Sequence, residues 1–524
     1  MNGIFNSTAA VNRFGLGAKP GELGEVHDAR GWLAAQISSG ADGAQLFAAL
    51  PSSLDYLKRE SQYKLERREF KQAANARNVN PQRRALFGGN AMNAAPNATV
   101  AAAEARKNDA LPPAVKELQR DLRDDFFAEA AARFRLAATT STPFMERLVH
   151  FWSNHFAVSL DKGPARLFAA PMEREAIRPH VNGRFADMLL AVETHPAMLR
   201  YLDNVQSIGP DSFVGERVTA RLAEKGEQNR GKAGGLNENL GREIMELHTL
   251  GVNGGYTQAD VTELSRAITG WSTPVPRDFD PDAYRPRRGR FAQFAQIDSP
   301  PNSAFVFRPA AHEPGARRVL DKTYAEGGFE QGTAILLDLA RHPATAKHLS
   351  LQLARHFVSD DPPQLLVDRM AKSYLDHDTD LAAVYRTLIE SPEAWSTDAR
   401  KFKTPQDFLI SSLRAGQIDV GDNPKPLLGL LNTLGEPMFT PRSPAGFPDI
   451  AANWIDADAL WKRVQAAEAL SQRVALANLQ PMDLAQGVLG PHLDSETANA
   501  IKRAESMQVA VATLFASPAF QWRV

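Results

Sequence analysis

The stretch TPFMERLVHFWSNHFAVS, Thr142 to Ser159, carries Phe144, Leu148, Phe151, Trp152 and His155 at three- and four-residue steps. That spacing paints one side of a helix with 3.6 residues per turn, and it lacks the alternation of a strand. Thr142 is an N-cap and Pro143 takes the first helical position, where a missing N–H does no harm. The stripe faces a core. His155 on it is either a ligand or a hydrogen-bonded core residue, whereas His150 falls on the polar side.

Working outward, the helical pattern recurs. A turn over Phe14 to Glu22 leads into a helix carrying Val26, Trp32, Leu33 and Ile37, and Pro112 to Thr139 forms a long amphipathic stretch. The last third reads as helices over His342 to Val358, Pro363 to Leu375, Leu381 to Ile389, Thr404 to Ala415, Asp456 to Leu476 and Ser495 to Ala516. His195-Pro196-Ala197 echoes His342-Pro343-Ala344, a recurrent helix start rather than a repeat. Strand signals are scarce. The expected fold is therefore mainly α: one large multi-helix body with long irregular loops and a mobile insertion. Its segments are an N-terminal helical part (1–70), an Ala/Asn-rich insertion (71–107) and a central helical region (108–271). An irregular loop (272–315) and a C-terminal helical region (316–524) follow. Within the central region, Asp203 to Gly235 reads as a long loop.

With 524 residues and 43% apolar content the chain can bury one or two large cores. Its 60 basic residues balance 61 acidic ones, so no global field attracts nucleic acid or an anionic membrane. The run Arg285 to Arg290 reads as a solvated loop, with an anion contact as the alternative. The absence of cysteine excludes disulfides, thiolate nucleophiles and iron–sulfur clusters. No segment reaches the ~20 apolar residues of a membrane span. The first residues lack the pattern of a secretory signal, so a cytoplasmic location is expected and a periplasmic one stays open.

The chemistry-bearing stretch is NENLGREIMELHTLGVNGGYT, residues 237–257. Asn237 as cap and Gly251 as stop bracket a helix over about 238–250. On a regular helix Glu246 lies about 60° from Glu243, in one sector with Asn239, Leu240, Leu247 and Leu250. Carboxylates on a face with leucines need a partner, and three are open: an arginine such as Arg242 or Arg266, a metal ion, or a shared proton. His248 sits about 140° from Glu243, so it joins the pair only if the last turn unwinds. His155 and His312, the latter at the end of the irregular region, are the further candidate ligands. Gly-x-Ser-x-Gly and Walker-type motifs are absent, and two carboxylates on one side do not suit a glycosidase. Thr257 and Asp260 form a capping box for a helix that packs by Val261, Leu264, Ile268 and Trp271.

Asn12-Arg13-Phe14-Gly15-Leu16-Gly17, Phe151-Trp152-Ser153-Asn154-His155-Phe156, the stretch 237–257, Thr269-Gly270-Trp271 and Ser443-Pro444-Ala445-Gly446-Phe447-Pro448-Asp449 occur in this order. Together they resemble the bacterial family named domain of unknown function 1800, over nearly the whole chain. The resemblance implies no established activity. Members commonly read Trp-His-Asn-His-Phe where this chain has Ser153, so a site needing both histidines is weakened and His155 remains. Neighbouring genes of relatives imply a sulfatase-like protein as partner, and many relatives carry export signals.

The expected function is a metal-dependent enzyme, oxidoreductase or hydrolase. Glu243 and Glu246 act as ligands or acid/base groups, His155 and His312 as ligands, and iron, manganese or zinc is the cofactor. Asn239, Arg242 and His248 support them. The alternative is a non-catalytic helical accessory protein.

Overall fold

A computed structural model describes residues 2–78, 113–225, 235–279, 303–475 and 480–524. Helices dominate, and strands among the described residues are confined to three short antiparallel pairs. The fold is a mainly α single body. No helix among the described residues is long and apolar enough to cross a membrane.

The quoted stretch forms the helix Pro143–His155, and Phe144, Leu148, Phe151, Trp152 and His155 are all buried. Its apolar stripe enters the larger of two cores. There it meets Phe185–Glu193, Pro196–Tyr201, Pro343–Phe357, Gln364–Asp376 and Leu381–Glu390. A second core gathers Pro405–Ala415, Lys425–Leu434, Ala457–Ser471, Pro481–Leu489 and Met507–Ala516. Two devices join the cores. Lys401–Phe402 pairs with Trp522–Arg523 as a two-stranded ribbon, bringing the chain's last residues back to the first core's edge. The N-terminal arm threads between them: Arg147 Nε donates to the Gly15 carbonyl (2.5 Å) and Arg414 Nε to that of Gly17 (2.6 Å).

Many helix ends follow their local chemistry. Thr257 and Asp260 make the expected capping box. His195 and His342 each accept the backbone N–H two residues on through Nδ1, at 3.1 Å, so the echoed His-Pro-Ala phrases are capping devices. Several expectations need correcting. The helix carrying Trp32, Leu33 and Ile37 spans Ala29–Ser39, capped by Asp28, and Val26 lies outside it. Residues 71–78 of the expected insertion continue the helix Ser53–Asn78, and 79–107 lie outside the described residues. The supposed loop 203–235 contains the helix Phe213–Lys225, whose apolar spacing its polar neighbours masked. Ser495 to Ala516 is two helices, Ser495–Lys502 and Met507–Ala516, because Ser506 caps a fresh start. In the irregular region, residues 280–302, with the arginine run, lie outside the described residues.

Inside the large core, Trp152 Nε1 donates to the Tyr385 hydroxyl (2.7 Å), which donates to the Val181 carbonyl (2.8 Å). All three residues are fully buried. Tyr385→Phe strands an indole N–H and a carbonyl, and it should cost about 1–3 kcal/mol in urea unfolding.

Candidate active-site cleft

The stretch 237–257 does not fold as one regular helix. Asn239–Glu243 is α-helical, and Ile244–His248 opens into a wider π turn, closed by the Thr249 hydroxyl on the Ile244 carbonyl (2.6 Å). The extra residue per turn swings His248 inward. There it meets Glu193 at 2.7 Å (Nδ1 to Oε1), with both side chains fully buried. Glu193 lies at the end of the apolar helix Phe185–Glu193.

Glu243 and Glu246 stay on the partly exposed side of this turn. Among the described residues no arginine forms an ion pair with either: Arg242 pairs with Glu238, and Arg266 with Glu263 and Glu313. Burial raises the Glu243 carboxyl above its ordinary value, with Glu246 adding to the rise and His248 opposing it. Glu246 accepts from the Tyr256 hydroxyl. The helix starts at Asn239 with Glu238, not the expected Asn237, at the N-cap; the Asn237 side chain, one residue further out, accepts the Asn239 N–H.

His155 is spoken for on both ring nitrogens. Nδ1 meets Gln352 Oε1 at 2.8 Å and Nε2 meets the His248 carbonyl at 3.2 Å, while burial lowers its pKa to about 3. The neutral ring donates through one nitrogen only, so the Gln352 amide must supply the other hydrogen. His312 keeps different company, with Nδ1 on the Thr269 carbonyl (3.0 Å) and its ring against Phe307. Among the described residues, no group of three or more His, Cys, Asp or Glu side chains could hold a metal ion.

Elsewhere Ser53, His195 and Glu175 meet in an arrangement that suggests a hydrolytic triad, with Ser53 Oγ 3.0 Å and Glu175 Oε2 3.2 Å from the same His195 Nε2. Because His195 Nδ1 accepts the Ala197 N–H, Nε2 carries the proton and cannot take one from serine. This is a helix-cap network.

The stronger arrangement lines a cleft of about 340 Å³ at the junction of the two cores. Its wall includes Arg147, His150, His155, Arg355, His356, Asp407, Glu436 and Asp449. The Pro143–His155 helix presents Arg147 and His150, so His150 is buried beside Glu146 and not on a polar surface as expected. Arg147 Nη1 meets Asp407 Oδ1 at 2.7 Å. Asp407 stands in the first turn of Pro405–Ala415, capped by Thr404. His356 Nδ1 meets Asp449 Oδ2 at 2.7 Å. Arg523 reaches all three: Asp407 at 3.4 Å, Asp449 at 3.7 Å and His356 Nε2 at 3.4 Å.

Asp449 is positioned by the block Ser443 to Asp449. Asn154 Nδ2 donates to the Phe447 carbonyl and Asn154 Oδ1 accepts the Phe447 N–H, each at 2.8 Å. Gly446 between them has φ +78°, and a Cβ there would run into the Asn154 carbonyl.

The environments drive the titrating groups apart. Burial, with Arg523 beside it, lowers His356 to about 4 against the pull of Asp449. Burial pushes Asp449 up, but His356, Lys401 and Arg523 outweigh it and hold the carboxyl at about 2. Asp407 is likewise held below the carboxylate range, with Arg147 and Arg523 overcoming burial. Burial, with Asp407 adding to it, pushes Glu436 up to about 7 against the Gln406 N–H (2.7 Å), the Thr404 hydroxyl and Arg463. None of His356, Asp407, Glu436 or Arg523 was singled out from sequence, and Asp449 entered only within a quoted block. The available signal was charged residues embedded in apolar helices, such as Arg147 and Asp407.

Fold and site together define a mainly helical protein with a charge-lined cleft between two cores. The chain belongs to the family described as Protein of unknown function (DUF1800), which matches residues 9–522. No curated protein and no solved structure matches it.

Two outcomes follow from this geometry. Gly446→Ala should cost of order 1–3 kcal/mol through backbone strain, read as a lower urea midpoint. A carboxyl whose folded pKa is raised contributes stability below its unfolded value, and that stability is lost as pH rises through the folded one. Glu436, moved from 4.5 to about 7, should therefore make wild type less stable than Glu436→Gln at pH 8, with the gap shrinking by pH 5.

Proposed function

We propose that this protein is an acid–base enzyme, a hydrolase whose base is His356, oriented by Asp449, and whose acid is Glu436. One observation carries the reading: a single cleft wall holds an imidazole lowered to about 4 and a carboxyl raised to about 7. Such divergence is how one site keeps a neutral base and a protonated acid at the same pH. Asp449 accepts the Nδ1 proton, which puts the lone pair of His356 on Nε2, where Arg523 Nη1 donates at 3.4 Å and must give way to the reacting water. In the reaction, Nε2 takes a proton from water as the oxygen bonds to the substrate's electrophilic atom. The bond to the leaving heteroatom breaks, and Glu436 gives that atom its proton. The imidazolium and the Glu436 carboxylate then exchange one proton with solvent.

Base neutral above about 4 and acid protonated below about 7 make a bell-shaped kcat/KM between those limbs. Chromogenic esters and phosphate esters are the first substrates to try, and His356→Gln and Glu436→Gln should each lower the rate by about 10²–10⁴. Independent of any substrate, carbethoxylation read by peptide mass spectrometry should modify His356 in native protein at pH 6. The exposed His27 and His377 serve as internal standards. If those two react and His356 does not, the imidazole is closed and the base assignment fails.

Two other readings have a specific observation behind them. The raised Glu243 carboxyl without an arginine favours a cation, iron, manganese or zinc, on Glu243 and Glu246. A stoichiometric metal that disappears in Glu243→Ala would support it, and its absence from purified protein would remove it. The exposed face of Leu460, Trp461 and Val464 favours an accessory role, with a sulfatase-like protein as the candidate partner. Co-elution lost in Trp461→Ala is its test.

A further inference from the structure

We infer that the cleft recognises an oxyanion, a carboxylate or phosphate group, through Arg355. This rests on the cleft being the substrate site and names what enters it.

Arg355 belongs to the Pro343–Phe357 helix, next to His356, and lines the same cleft. Its Nε is used locally, donating to the Asp360 carbonyl at 3.1 Å. Among the described residues no carboxylate stands within ion-pair distance of its guanidinium, whose two terminal nitrogens remain available. Every other arginine of this site is committed. Arg147 is bound to Asp407 and the Gly15 carbonyl, Arg463 to Gln521 and the Lys403 carbonyl, and Arg523 lies between two aspartates.

The charge balance of the wall agrees. Arg147 and Arg355 line the cleft with Asp407, Asp449 and Glu436, and Lys401, Arg463 and Arg523 stand behind it, so the surroundings carry more positive than negative charge. Arg355 is the lining cation without a carboxylate partner among the described residues. A half-buried arginine with a free planar fork is the group that binds carboxylate or phosphate in two parallel hydrogen bonds. Gln352 and Asn453 line the same cleft and offer neutral amides to the anion's remaining oxygens. Arg355 and His356 line the same cleft, so an anion held by Arg355 would place the rest of its molecule in the space the base shares.

The test is titration calorimetry on the full chain at pH 6 and constant ionic strength, with inorganic phosphate in one arm and succinate in the other. At least one anion should bind wild type, and Arg355→Gln should weaken it by about 10-fold or more. Arg355→Lys keeps the charge without the fork and should fall between. Arg442→Gln, at an exposed position, should bind as wild type does. Binding of phosphate alone identifies a phosphate-bearing ligand, and succinate alone a carboxylate-bearing one. If neither anion binds wild type, or Arg355→Gln binds as tightly as wild type, the assignment is overturned. Reactive His356 with no anion binding would spare the acid–base reading while removing this one.

Discussion

Arg147 rises from the buried helix that also carries Glu146 and His150 and meets Asp407, 260 residues later, across the boundary between two hydrophobic cores. Neither ion tolerates burial alone: breaking such a pair by removing one partner costs about 3–5 kcal/mol. The two cores therefore join in one register, the one that brings guanidinium and carboxylate to 2.7 Å. Arg523, held by the Lys401–Phe402 ribbon, extends the same contact to Asp449 and His356. A hydrophobic contact between the cores would be less selective about angle and slide. The ionic joint fixes both, and the cleft is the space it leaves open.

Apolar residues of the right volume would seal this junction at least as well, since buried ion pairs seldom stabilise more than a packed apolar isostere. What ions supply is chemistry. The field that lowers His356 and holds Asp449 ionised comes from the charges that dock the cores, whereas Glu436, hydrogen-bonded but without an ion-pair partner among the described residues, is left to be raised by burial. The docking of the cores and the shifted titrations thus share one set of residues. The buried His248–Glu193 pair is a contrast: equally close at 2.7 Å, it is sealed on all sides and serves to anchor the widened turn.

The helices were largely readable from local pattern. The stripe of Pro143–His155, the capping box at Thr257 and Asp260, and the His-Pro-Ala starts depend on neighbours within a few residues, and all appear as read. Misreadings arose where local signals were weak or doubled: the helix Phe213–Lys225 inside a polar stretch, and the break before Ser506 inside a continuous apolar pattern. Among site residues, the sequence drew attention to Glu243 and Glu246 through their spacing, to His155 through its place on an apolar stripe and to His312 at the end of the irregular region. The structure places Glu243 and Glu246 on one turn and His155 against that turn through the His248 carbonyl, with His312 on another set of contacts.

Composition and periodicity by themselves determined a mainly α body without thiol chemistry, because helical faces and caps are set by residues three or four positions apart. Tertiary structure alone decided which charges meet. Arg147, His356, Asp407, Glu436, Asp449 and Arg523 come from distant points of the chain, and each reads in isolation as an ordinary helix or loop charge. The shifts of His356, Asp407, Glu436 and Asp449 follow from burial and from partners up to 260 residues apart, which no local window of sequence contains.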